Sequence, residues 1–267
     1  MDRTFWQKQA DKPLFPDLVW SRPENRNQAG KLLIVGGNLH GFSAVAQAYN
    51  VATSSGAGVV RAIMPDAIKK VVGGLIDTAD FAPSTPSGSF ARPALAGLLE
   101  QASWADGVLL AGDLGRNSET AIVLESFVQK HAGPLALTKD AVDYFTTSPQ
   151  TILNRNNTVL VLSIAQLQQL GQHAHFELPV TFSMDLLHLV DWLHSFTTKY
   201  GAHIITSHLG TIFVAVNGQV STTKTNNTIE DIWRVPTAAS IAVWWIQTPA
   251  KPFETLTTGV LDSTEKK

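Results

Sequence analysis

Two glycine-rich turns carry the residues whose types and spacing suit them to chemistry. Gly36-Gly37-Asn38 follows the apolar run Lys31–Val35 and precedes a stretch of helical composition. Ala111-Gly112-Asp113-Leu114-Gly115-Arg116 closes a second apolar run, Gly107–Leu110. Glycines where a strand hands over to a helix let backbone N–H groups come close to an anion or a flat ring. The same glycines also make plain tight turns, so either motif alone leaves both readings open. The histidines offer less. His173 and His175 flank one residue and bring no third ligand, which reads as surface and not as a metal site.

The elements around these turns are legible. Lys31–Val35 reads as a strand, and Ala44, Val45, Ala48 and Val51 recur at helical spacing behind Ser43. Gly56-Ala57-Gly58 ends that helix, and Val59–Met64 is the next strand, completing a unit of βαβ length. The alternation continues with a strand at Gly107–Leu110, a helix at Ser118–His131, a strand at Leu135–Leu137 and a short helix at Lys139–Tyr144. Next come a strand at Thr158–Leu162 and helices at Ile164–Leu170 and Leu186–Tyr200. His203–Thr206 and Thr211–Val216 are strands, and Asn217-Gly218 turns the second into Gln219–Thr222 as a hairpin. Pro236–Gln247 is an almost entirely apolar helix with Pro in its first turn, and its Trp244 and Trp245 belong to a core or an interface. This order predicts an α/β protein with a mainly parallel sheet covered by helices on both faces. Ligands in such sheets sit beyond the carboxyl ends of the strands, where both glycine turns fall. Residues 1–30 read as a polar arm, 31–260 as one domain and 261–267 as a frayed tail.

Composition narrows the classes. Hydrophobic residues make up 44% of the 267, charged ones 16%, and seven are Trp, so the chain can bury a large core and an interface between copies. A net charge of −2 gives no field for nucleic acid or an anionic membrane. Without a cysteine there is no disulfide, thiolate nucleophile or Cys-ligated zinc. No apolar run is long enough to span a membrane and Met1–Trp20 has no secretory h-region, so the expected location is the cytoplasm. A homo-oligomer is expected from the apolar surface.

The turns and their surroundings resemble a known family. Residues 105–116, Ala-Asp-Gly-Val-Leu-Leu-Ala-Gly-Asp-Leu-Gly-Arg, are similar to the "ADxVVIGPGLGR" segment of the ADP/ATP-dependent NAD(P)H-hydrate dehydratases. These are ribokinase-like proteins that use ADP or ATP to repair hydrated nicotinamide cofactors. Gly36-Gly37-Asn38 with Ala44 resembles that family's "GGS…GA", Gly56-Ala57-Gly58-Val59-Val60 its "GAGLV", Pro134–Ala141 its "PLVLDADA", and Pro252-Phe253-Glu254 its "PFEA". The matches run in family order from about residue 30 to 260. The resemblance implies a ribokinase-like three-layer sandwich. It implies ATP or ADP with Mg²⁺ as cofactor and an NAD(P)H-type ligand as substrate. It places Gly37, Asn38, Ala44, Gly115, Asp140 and Ser163 toward the substrate, and Ser207, His208, Gly210, Thr211 and Arg234 toward the nucleotide.

The departures bear on activity. The family's "GTGD", whose Asp is the base on the substrate hydroxyl, aligns with Asp231-Ile232-Trp233-Arg234-Val235. The base position falls on Val235, or on Arg234 if the register slips by one, and neither takes a proton from a hydroxyl. Asp231, Glu230 or Asp113 could substitute as base, and Arg234 could clamp a phosphate. "TPHPGE" reads Val161–Gln166, "LKGAGT" reads Thr206–Thr211 without its Lys, and the first Asp of "DAD" is Thr138. Asp113 adds a negative charge at the third position of "GPGLG". The first reading is therefore a degenerate member that binds a nucleotide or nicotinamide-type ligand with little or no turnover. The alternatives are a divergent active dehydratase and a ribokinase-like small-molecule kinase.

Overall fold

The computed structural model describes residues 3–10, 12–72, 74, 76, 78–225 and 233–265. Among them ten strands form one sheet: β1 (Trp6–Gln9), β2 (Lys31–Gly36), β3 (Val59–Pro65), β4 (Ala79–Ala82), β5 (Gly107–Gly112), β6 (Leu135–Thr138), β7 (Thr158–Leu162), β8 (His203–His208), β9 (Thr211–Val216) and β10 (Gln219–Lys224). Their spatial order is β1-β10-β9-β8-β7-β6-β5-β2-β3-β4. Only β9 pairs antiparallel to its neighbours.

Alternate residues of the central strands enter two separate cores, which is why those strands read as unbroken apolar runs. Leu33, Val35, Leu110, Leu137, Leu160 and Leu162 pack under the helices Ala94–Trp104, Ser118–Lys130, Ile164–His173 and Leu186–Lys199. Leu32, Ile34, Leu109, Ala111, Val159 and Val161 pack under Ser43–Ser54, Arg234–Gln247 and Pro252–Glu265. This is the three-layer α/β sandwich that the alternation predicts. The apolar helix begins at Arg234, two residues before Pro236, whose missing N–H falls in the first turn where none is needed. Trp244 and Trp245 are buried in the chain's own core.

The described residues of the segment 1–30 are built into the fold. β1 pairs in parallel with β10, Trp6 opposite Val220. Arg3 forms a two-pronged ion pair with Asp191 at 2.7 and 2.8 Å, and buried Gln9 donates to Thr223 Oγ1 and to the Thr257 carbonyl. The C-terminal segment also differs from the frayed tail read above. The last helix continues to Glu265 because Leu261 and Ser263 face the core and Asp262 accepts from Trp244 Nε1 at 3.1 Å.

The order places a topological switch point between β2 and β5, since the chain leaves β2 toward β3 on one side while β6, β7 and β8 follow on the other. Here the two glycine turns meet. The pairing slips by one residue so that Gly36 faces Gly112, and a Cβ on Gly36 would lie 2.5 Å from the Gly112 carbonyl oxygen. Gly37 N–H then donates to that same carbonyl at 3.0 Å.

Candidate functional site

The chain's own side chains meet across the crevice at the switch point. Asp113 follows β5 with a left-handed backbone, φ +56°. One carboxylate oxygen accepts the Ala44 N–H at 2.7 Å and the Ser43 hydroxyl at 3.1 Å, at the start of the Ser43–Ser54 helix. The other lies 2.6 Å from the Lys139 ammonium. Burial pulls the Asp113 pKa upward, but the Ala44 amide, Lys139 and Ser43 outweigh it and hold the group below the ordinary carboxylate value. Asn38 closes the opening further: its Nδ2 donates to the Asp113 carbonyl at 2.6 Å and its Oδ1 accepts from His40 N–H at 2.7 Å.

An open cleft of about 700 Å³ lies one strand over, beyond the ends of β5, β6 and β7. Gly115, Asp140, Tyr144, Ser163, Gln166 and Arg234 are among its walls, with Arg116, Asn117, Asp143, Ala165 and Gln169. Asp140 begins the short Asp140–Asp143 helix; its Oδ2 accepts the N–H groups of Leu114 at 2.8 Å and Gly115 at 3.2 Å, fixing the turn after β5. Its Oδ1 is buried without a hydrogen-bond partner among the described residues. Burial and the neighbouring Asp113 charge raise the Asp140 pKa against the pull of the Leu114, Gly115 and Asp113 amides. Tyr144 donates its hydroxyl proton to the Gly115 carbonyl at 2.5 Å.

Gln166 joins the far wall together. Ser163 and Gln166 form a reciprocal cap on the Ile164–His173 helix, Ser163 Oγ accepting from Gln166 N–H and Gln166 Oε1 accepting from Ser163 N–H. The Gln166 amide donates to Asp143 Oδ1 at 2.6 Å and to the Lys139 carbonyl at 2.8 Å, while its oxygen accepts from Arg234 Nη1 at 3.1 Å. One buried side chain thus ties the ends of β6 and β7 to the start of the Arg234–Gln247 helix.

Of the residues that the resemblance places toward a substrate, Gly115, Asp140 and Ser163 share this cleft, whereas Asn38 and Ala44 bond to Asp113 at the switch-point crevice beside Gly37. Of those placed toward a nucleotide, Arg234 lines the cleft. Ser207, His208, Gly210 and Thr211 lie at the β8–β9 hairpin and are not in that lining. Its two-residue turn, Leu209 and Gly210, is left-handed at both positions, and His208 Nε2 sits 2.8 Å from the Met184 carbonyl. Val235 is buried, as is Trp233 before it. Glu230 and Asp231 lie outside the described residues. Among the described residues no three metal-ligating side chains cluster, and the cleft carboxylates Asp140 and Asp143 are hydrogen-bonded as given above. Lys139, Tyr144 and Gln166 escaped the reading of the sequence. Only Gln166 carried a local signal, the Ser-x-x-Gln spacing of a reciprocal cap.

No protein-family model and no curated protein sequence matches the chain. Solved structures do. A ribokinase-like superfamily protein from Enterococcus faecalis superposes with a TM-score of 0.76 at 16% identity, over 99% of this chain and 88% of that one. A hypothetical protein from Streptococcus mutans gives 0.72 at 17% over 93% and 86%. The ADP/ATP-dependent NAD(P)H-hydrate dehydratase of Bacillus subtilis, co-crystallised with ATP and Mg²⁺, gives 0.61 at 13% over 95% and 87%. The fold is therefore ribokinase-like, and its neighbours include the dehydratases that the sequence resembles.

Proposed function

We propose that this protein binds a nucleotide or nicotinamide-type ligand in the cleft between the β5, β6 and β7 ends and the Arg234–Gln247 helix, with little or no turnover. The observation that carries the reading is the start of that helix. The position aligned with the family's base holds Val235, buried in the core, and Trp233 beside it is buried as well. Losing a general base costs about a hundred- to ten-thousand-fold in rate. Losing donors to the developing charge costs about a further hundred- to thousand-fold. The cleft itself retains the means to hold a ligand. Arg116 and Arg234 offer guanidinium groups to phosphates, and Ser163, Asn117 and Gln169 offer neutral polar groups to a sugar. The structural likeness to a dehydratase crystallised with ATP and Mg²⁺ supports a ligand of that class. Any Mg²⁺ would arrive with the phosphates, since the described residues assemble no site for it alone. A cytoplasmic setting belongs to the same proposal; no helix among the described residues is long and apolar enough to cross a membrane.

The test pairs binding with turnover. Isothermal titration with ATP, ADP, NADH and NADPH should give saturable binding to at least one, weakened by Arg234→Ala. Hydrated NADH or NADPH offered with ATP or ADP should remain unconverted. Conversion that Asp140→Asn abolishes would establish an active enzyme instead.

A further inference from the structure

The crevice between β2 and β5 is the place where this fold class receives ligands, and here a carboxylate of the chain sits in it. The helix Ser43–Ser54 begins at Phe42, which has no side-chain oxygen to cap the free amides of the first turn. The cap arrives from Asp113, 69 residues away. Three donors converge on that one carboxylate: the Ala44 N–H at 2.7 Å, the Ser43 hydroxyl at 3.1 Å and the Lys139 ammonium at 2.6 Å. Such a set, an amide at the positive end of a helix dipole with a hydroxyl and an ammonium, is what binds an anion of carboxylate or phosphate size. Asp113 and Lys139 both hold left-handed backbones, φ +56° and +51°, which cost side-chain-bearing residues energy and collect where a local arrangement serves a role.

We propose that Asp113 is a specificity-determining residue: it occupies, as an internal anion, a receptor formed by Ala44, Ser43 and Lys139, and so keeps external anions out of the switch-point crevice. The inference rests on the reading of the adjacent cleft as a ligand site and deepens it. A bound nucleotide has to direct its phosphates away from the β2–β5 mouth and toward Arg116 and Arg234, leaving a neutral or cationic group to face Asp113.

The experiment uses inorganic phosphate as probe, titrated into the full chain and followed by calorimetry. Asp113→Gly removes the carboxylate and suits the left-handed backbone; Asp113→Asn tolerates that backbone and removes only the charge. Circular dichroism and cooperative melting establish that each variant is folded. Wild type should show no phosphate binding that depends on Lys139. D113G should bind phosphate at least tenfold more tightly than wild type, D113N several-fold more tightly, and adding K139M to either should return it to the wild-type level. The proposal is overturned if neither folded variant gains phosphate binding, if the gain survives K139M, or if wild type already binds phosphate in a Lys139-dependent manner. Because the probe is phosphate and the readout is the gain in the variants, this result is separate from whether wild type binds a nucleotide at all.

Discussion

His203 should make the protein unfold more easily in mild acid. It opens β8 with 1% of its surface exposed, its ring set edge-on against Trp245 with centroids 5.6 Å apart. Neither ring nitrogen has a hydrogen-bond partner among the described residues. Burial pushes its pKa from 6.5 down to about 4. The folded chain thus takes the proton less readily than the unfolded one. The stability tied to the neutral ring is complete above the unfolded value of 6.5 and is lost as pH falls from there toward about 4. At about 1.4 kcal/mol per pH unit, the loss by pH 4 is about 3 kcal/mol. That is a large part of the 5–15 kcal/mol typical of a folded domain, roughly a fifth to three fifths. Asp140 works in the opposite sense, since its raised pKa makes protonation favour the folded state. Asp113, held low, loses its contribution only in stronger acid. A His203→Phe variant separates these effects by keeping a ring and removing the proton. Urea midpoints at about pH 7, 5.5 and 4 should show the variant gaining about 3 kcal/mol on wild type across the range, whatever its stability at neutral pH. Parallel pH profiles for the two proteins would refute the argument.

Three other perturbations follow from the geometry. Gly112→Ala places a Cβ 2.8 Å from both Asp140 Oδ1 and Lys139 Cβ at φ +102°, so urea unfolding should show a loss of at least about 2 kcal/mol. Arg155 donates to the carbonyls of Val128, His131 and Gly133 and to Thr158 Oγ1; Arg155→Ala should cost about 2–3 kcal/mol in the same assay, and Arg155→Lys should recover only part. Gln166→Ala removes its bonds to Arg234 and Asp143 together, so calorimetry should show nucleotide affinity falling about tenfold while the fold persists, equivalent to about 1.4 kcal/mol.

The central sheet was legible because its strands are buried on both faces and spell continuous apolar runs. Thr158–Leu162 and Thr211–Val216 match the structure end to end, and Asn217-Gly218 forms the expected turn with both residues left-handed. The sheet edges were not legible. Trp6-Gln7-Lys8-Gln9 looks polar because β1 pairs along one side only, and Ala79–Ala82 is four residues long with Asp80 in it. The last helix hid behind its threonines and serines, whose hydroxyls are satisfied within the fold, as in the 2.7 Å pair of Ser221 and Thr257. At the site, the glycine turns announced where ligands would approach. Asp113 was legible only as a negative charge in a place for anions, because its partners come from the next strand and from a helix 69 residues back. Position in sequence marked the crevice, and only the packed structure could give its occupant.

The most direct test of a retained ligand cleft is a thermal-shift panel with ATP, ADP, NADH and NADPH, each with and without Mg²⁺. A ligand at a hundred times its dissociation constant stabilises by about 2.7 kcal/mol. For a chain of this size that raises the melting midpoint by about 5–10 °C. Such a rise is expected with at least one nucleotide, reduced by Arg234→Ala. No rise with any of the four would contradict that expectation and leave the cleft without a ligand of this class.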